Sequence, residues 1–249
     1  MRKTLVLICL FLILFSSEAI FAEDVGEQVR LEIVPQWYTK DKIKIYGQIS
    51  VRKEFHENDY MRYVVKPSIA YSLSDAWNLR GGLGLLYTDN KDINGINVDN
   101  RFEIRPFQGI KYNYAFNEKW NLDVYGRVEE RFDYNVQTKD SVNTLRLRLR
   151  LRGVYRFNAY QSGKYYRLMF GIEAYKSLSN LTHETDEKYQ VSLGLERSFN
   201  HNQKGRIDLT WENQDTFYSN GSINYSKVYL RLRYYPTWGT LFNKIRKQD

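Results

Sequence analysis

The chain has one cysteine, four prolines and three histidines in 249 residues. The lone Cys9 excludes an internal disulfide framework and a cysteine-based zinc site. It lies inside an apolar run, too near the start to follow a complete apolar region, so it is not read as a lipid-attachment cysteine. His56, His183 and His201 show no metal-ligand spacing. No glycine-rich phosphate loop is present. Long apolar runs are also scarce. Thr4 to Phe15 is one, but it spans about twelve residues where a crossing helix needs ~20. No second run reaches that length, which excludes a further membrane-spanning helix.

What is there begins with export. Met1-Arg2-Lys3 is basic, Thr4 to Phe15 is apolar, and Ser16 to Ala22 is rich in small residues, with cleavage points after Ala19 or Ala22. That order predicts a secretory signal peptide over 1–22 and a domain over 23–249. Charged residues make up 27% of the chain and mean hydropathy is −0.58, values of a water-soluble protein. Yet 21 Tyr, 13 Phe and 5 Trp make it aromatic-rich. Both properties fit strands that alternate lipid-facing and interior-facing residues, because averaging hides the apolar face.

Alternation supports that reading. Leu145, Leu147, Leu149 and Leu151 are interleaved with Arg146, Arg148, Arg150 and Arg152. A helix would scatter these arginines around its axis, whereas a strand gathers them on one face. The same period of two runs through Ile43 to Arg52, Trp120 to Glu129, Tyr166 to Glu173, Gln190 to Glu196, Arg206 to Glu212 and Val228 to Tyr234. Short turns fit at 74–76, 117–119, 160–163 and 200–202. Longer polar loops fit at Asp89 to Asp99, Asn135 to Ser141, Ser179 to Asp186 and Ser219 to Asn224. The fold class is therefore all-β, an antiparallel up-and-down transmembrane barrel of 10–12 strands, with an even number favoured. Ten strands run from near Lys42 to Tyr235, and the weaker alternation of Val29 to Tyr38 offers an eleventh. Pro67 and Pro106 fall inside strands, where a bulge or rim position is expected. Gly81, Gly82 and Gly84 suggest a kink or a close approach. A basic tail, 236–249, follows the last strand.

Against this pattern, several motifs resemble a bacterial outer-membrane β-barrel family filed as a domain of unknown function. They are Glu103-Ile104-Arg105-Pro106-Phe107-Gln108, the strand Arg127-Val128-Glu129-Glu130-Arg131-Phe132, the alternating Arg146 to Arg152, Glu173 before a loop, and Leu193-Gly194-Leu195. The spacing before Arg105 and the longer tail depart from the family pattern. The resemblance implies an outer-membrane barrel and neither a reaction nor a ligand.

No chemistry of catalysis emerges. His183-Glu184 has Ser177 and Ser179 nearby, but nothing in the pattern brings nucleophile and base to one site. Neither a catalytic residue, a metal nor a cofactor is assigned, and no enzyme activity is expected. A pI near 9.3 would suit nucleic acid, but the arginines alternate with lipid-type residues and export removes the chain from cytoplasmic nucleic acid. The inward face is the functional candidate: Arg105, Arg127, Glu129, Arg131, Arg146, Arg148, Arg150, Arg152, Arg167, Glu173, Arg231 and Arg233. Cations exceed carboxylates on that face, and charged rings are how pores select ions. Three functions stay open. One is a passive route for small anionic solutes through an outer membrane of the Gram-negative type, with lipid as the surrounding partner. Another is a barrel whose interior is filled by side chains. The third is a lipid- or envelope-modifying enzyme.

Overall fold

A computed structural model describes residues 25–40, 42–55, 59–91, 100–157, 165–178, 185–200, 203–218 and 221–237. The signal-peptide segment, all three histidines, parts of the loops at 92–99 and 179–184, and most of the tail lie outside the described residues. One sheet contains fourteen segments. They are β1 (Val25–Ile33), β2 (Gln36–Lys40), β3 (Ile43–Tyr46), β4 (Ile49–Glu54), β5 (Asp59–Val65), β6 (Ser68–Ser72) and β7 (Trp77–Lys91). Then follow β8 (Arg101–Ala115), β9 (Trp120–Asn135), β10 (Ser141–Arg156), β11 (Tyr166–Ser177), β12 (Thr185–Asn200), β13 (Gln203–Tyr218) and β14 (Gly221–Pro236). β1 with β2, β3 with β4, and β5 with β6 are halves of single wall strands, so the barrel has 11 strands. It closes where the first strand, β1, pairs with the last, β14.

The odd count corrects the even number expected, and with it the purely antiparallel wall. Strands that alternate up and down leave the first and the eleventh pointing the same way. Their closing pair must then be parallel. β1 runs parallel to β14, from Val25 opposite Ser226 to Ile33 opposite Tyr234. The loop expected over Ser219 to Asn224 is also corrected. Tyr218 already pairs with Gly221, so the connection is a tight hairpin. The polar residues there continue the ladder: Asn213 Nδ2 donates to Asn224 Oδ1 at 2.9 Å, and Asn224 Nδ2 to Asp215 Oδ1 at 2.5 Å. Alternation vanished from the sequence because these residues lie beyond the apolar stretch, while the strand continues.

Pro67 sits at the gap between β5 and β6, while Pro35 sits between β1 and β2. Proline has no N–H to give a ladder. The three gaps lie side by side. Gly47 N donates to Pro35 O at 2.9 Å, Gln48 and Lys66 exchange bonds at 3.0 and 2.8 Å, and Leu83 N donates to Pro67 O at 3.1 Å. Pro106 lies at neither a bulge nor a rim. The β8–β9 ladder stops at Ile104 opposite Phe132 and resumes at Phe107 opposite Glu129 in unchanged register, so the chain simply omits the bonds proline cannot make.

The wall is apolar outside. Leu147, Leu149 and Leu151 are 41%, 53% and 45% exposed, whereas the side chains of Arg146, Arg148 and Arg152 on the other face are 13%, 16% and 19% exposed. Aromatic rings ring both ends of the outer face. At the short-turn end Trp77 packs on Tyr112 and Trp120 on Tyr155, each with centroids 4.6 Å apart. Tyr63, Tyr87, Phe102 and Tyr134 stand in adjoining register positions at the other end.

Two glycines make room for rings inside. A Cβ on Gly82 would stand 2.7 Å from Cζ of Phe107, and one on Gly109 would stand 3.1 Å from Cε2 of Tyr125. Phe107 and Tyr125 are buried, and each lies over a neighbouring strand that offers no side chain in the way. This close approach explains the glycine at Gly82.

Candidate functional site in the barrel interior

Register decides which charges meet. On β9 and β10, Arg146 faces Glu129, Arg148 faces Arg127, Arg150 faces Tyr125 and Arg152 faces Asp123. On the other side, β11 sets Tyr175 beside Arg148 and Glu173 beside Arg150. Contacts between neighbouring strands are thus linked, guanidinium to carboxylate, from β8 across to β11.

Three carboxylates anchor the cluster on β8 to β11. Glu129 is fully buried and receives Arg146 Nε at 3.0 Å, with Arg127 against it and Arg105 and Arg148 at 3.8 and 3.9 Å. Glu103 takes Arg105 Nη2 and Arg131 Nε, both at 2.7 Å. Glu173 is hydrogen-bonded to Arg148. Five arginines thus share three carboxylates. Such sharing is what keeps a buried charge tolerable, since an ion pair gains only when remaining lone pairs and protons are also satisfied.

Toward the short-turn end, Asp123 binds Arg152 at 2.5 Å and Lys111 at 3.2 Å, and Glu196 binds Arg167 at 3.5 Å. At the seam, Glu32 joins Arg233 at 2.8 Å and Arg231 at 3.6 Å, which ties β1 to β14 across the parallel pair. Nearer the loops, Glu212 gathers Lys188 at 2.7 Å, Lys227 at 3.4 Å and Arg30 at 3.7 Å. Gln28, Glu54, Tyr60 and Tyr225 extend that network: Tyr225 donates to Glu54 at 2.7 Å and Gln28 Nε2 to Glu54 at 2.9 Å.

Rings fill the space between the charges. Arg30 lies 3.5 Å from the centre of Tyr229, Arg148 4.9 Å from Tyr175 and Arg127 4.9 Å from Phe107. A guanidinium over a ring face gains about 0.5–2 kcal/mol, more when water is excluded. Tyr229 is 1% exposed, and Glu129 and Glu212 are 0% exposed. These side chains face inward yet meet no solvent, because neighbouring cations and rings cover them.

All twelve residues singled out from sequence have side chains on this inner face; eleven are brought into the clusters above, and Arg150 stands over the ring of Tyr125. Sequence reading missed Arg30, Glu32, Lys188 and Lys227 among the charges and Tyr125, Tyr175 and Tyr229 among the rings. The signal was present. Gln28, Arg30 and Glu32 alternate with Val29, Leu31 and Ile33, and Lys227, Tyr229, Arg231 and Arg233 share one parity. Among the described residues no group of three or more His, Cys, Asp or Glu is arranged to hold a metal ion.

Wall and interior together define a closed β-barrel that is apolar outside and ionised inside, the reverse of a water-soluble protein. The chain belongs to the family described as protein of unknown function DUF2490, whose family model matches residues 34–226. That span runs from the first break in the wall into β14 and includes the Glu103 to Gln108 motif. No curated protein matches the chain.

Proposed function

We propose that this protein is an outer-membrane β-barrel whose interior is closed by ion-paired side chains, a membrane-embedded scaffold and not a general diffusion pore. The observation that carries the reading is the inverted burial: leucines 41–53% exposed alternate with arginines held against buried carboxylates. A bilayer suits the first face, and only a filled interior suits the second. The aromatic belts fit the same setting. Trp77 and Tyr87 lie ten residues apart on β7; at ~3.4 Å per residue and a tilt near 40°, that is a height of about 26 Å, close to the ~25 Å apolar band of such barrels. The longer connections would face outward and the short turns the periplasm.

A small-anion pore is the second reading, favoured by one observation: five arginines share three carboxylates on the inner face. Reconstitution into planar bilayers separates the two. The closed interior predicts no steady current from a folded barrel, verified by the different gel migration of boiled and unboiled samples. Stable, anion-selective current steps would replace the scaffold with the pore. Recovery in the soluble periplasmic fraction would remove both.

A further inference from the structure

We propose that Arg80 and Arg150 together hold a small tetrahedral oxyanion of the phosphate type in the middle of the barrel, against the ring of Tyr125. The inference rests on the closed interior and adds a ligand to it. Arg150 faces Tyr125 directly in the β9–β10 register. Arg80 reaches the same ring from two strands away, because the residue facing it on β8 is Gly109, which puts no side chain between them. The guanidinium carbons of Arg80 and Arg150 lie 5.4 and 5.1 Å from the centre of that one ring. The two charges are therefore within about 10 Å of each other, the screening distance in 0.1 M salt, and in a space where water screens less.

The carboxylates nearest in register are already engaged: Asp123 by Arg152 and Lys111, Glu173 by Arg148. Among the described residues no carboxylate forms an ion pair with Arg80 or Arg150, and the buried Nε of each has no hydrogen-bond acceptor. Arg127, 6.0 Å from the ring, adds a third cation whose own partner is Glu129. Both arginines are half-buried, and charges held away from bulk water are normally paired. An anion that completes this pair must offer acceptors in more than one direction. A tetrahedral oxyanion does so. A carboxylate sets both oxygens on one side, and chloride lacks the geometry that matches a guanidinium fork.

The test is refolding of the full mature chain in detergent with sodium phosphate, or with sodium chloride at equal ionic strength. Bound phosphate is then counted after gel filtration, and affinity is read from the phosphate dependence of the urea midpoint. The expected result is about one phosphate per chain and a midpoint that rises with phosphate as ligand linkage requires. Arg80→Gln and Arg150→Gln should each bind about tenfold more weakly, the loss of one charged hydrogen-bonding group. Arg197→Gln, on the outer wall beside Tyr166 and Phe199, should bind as the unaltered chain does. No retained phosphate, or equal binding in both glutamine variants, overturns the site. If a glutamine variant fails to fold, Arg80→Lys and Arg150→Lys keep the charge and lose the fork. Unaltered affinity in both lysine variants overturns it equally. A barrel that conducts but binds phosphate breaks the scaffold reading alone; one that is silent and binds none breaks this inference alone.

Discussion

From β7 to β14 the wall is made of uninterrupted strands of 12 to 16 residues; from β1 to β6 it is made of pieces of 4 to 9. Both regions have the same inside-out alternation, so the difference is not one of burial. It lies in the backbone. The long strands contain a single proline away from their ends, Pro106, and their ladders run almost unbroken. The short ones break at Pro35, at Gly47 and at Pro67, in a line across three neighbours. The continuous wall also holds the richest ion-pair cluster, on β8 to β11, while the broken wall adds Arg30, Glu32 and Glu54 at the seam. A regular half that fixes the interior charges, and a bent half that carries the closing seam, is the division of labour this comparison suggests.

The largest effect should come from inverting the faces. Leu149 sits at the middle of β10 and points outward, 53% exposed. An arginine on the lipid face at mid-height costs about 2–4 kcal/mol, so Leu147→Arg with Leu149→Arg should lose several kcal/mol and fail to assemble. Ile33→Arg with Ile49→Arg, outward and paired with each other in the broken wall, should fail similarly if that wall is embedded to the same depth. Unfolding midpoints and gel migration report the outcome. Intact assembly of the second pair alone would mean that the broken wall stands clear of lipid.

A smaller effect separates the interiors. Glu129→Gln removes the carboxylate shared by Arg105, Arg127, Arg146 and Arg148, whereas Glu32→Gln removes the partner of Arg231 and Arg233. Breaking a buried pair costs about 3–5 kcal/mol, because the surviving charge stays buried. The Glu129 change should sit at the top of that range and the Glu32 change below it. Urea titrations of the two variants measure the gap; equal losses would show that the seam bears as much of the interior charge as the continuous wall.

How much of this was legible in the sequence follows from what alternation can encode. A period of two assigns faces, so the Leu145 to Arg152 strand declares its inner and outer sides without a structure. The same period is silent on whether a neighbour is parallel, so the eleventh strand that Val29 to Tyr38 offered could not be placed in a parallel β1–β14 closure. Val29 to Ile33 alternates well, but Val34-Pro35 interrupts the pattern just where the strand is cut in two. Pairing partners depend on register. Nothing local to Arg148 says that it meets Glu173 while Arg150, which faces Glu173, does not. Tyr125, Tyr175 and Tyr229 escaped because the inward face was traced through its charged residues alone. Their polar-side parity was the clue, and an aromatic ring among arginines is a plank for guanidinium stacking as much as an anchor at an interface.

The smallest effect is expected at the break line itself, and its sign is informative. Pro35→Ala keeps the carbonyl that accepts from Gly47 N at 2.9 Å, so that bond survives. The change loosens the unfolded chain, a loss of about 0.4–1 kcal/mol. It also creates an N–H at a buried position. If the ladder closes over the gap, that N–H gains a partner and returns about 0.5–1.5 kcal/mol; if the gap remains, an unpaired buried N–H costs about 1–3 kcal/mol. Gly47-Gln48, the middle gap of the three, contains no proline. The gap there must come from the bend of the sheet, and the prolines flanking it occupy a bend they did not create. Pro35→Ala should therefore lower the urea midpoint by the equivalent of about 1.4–4 kcal/mol, and Pro67→Ala, at an exposed position, by less. A raised midpoint in either variant would reverse the causal order, making proline the origin of the broken wall and leaving the glycine gap as its consequence.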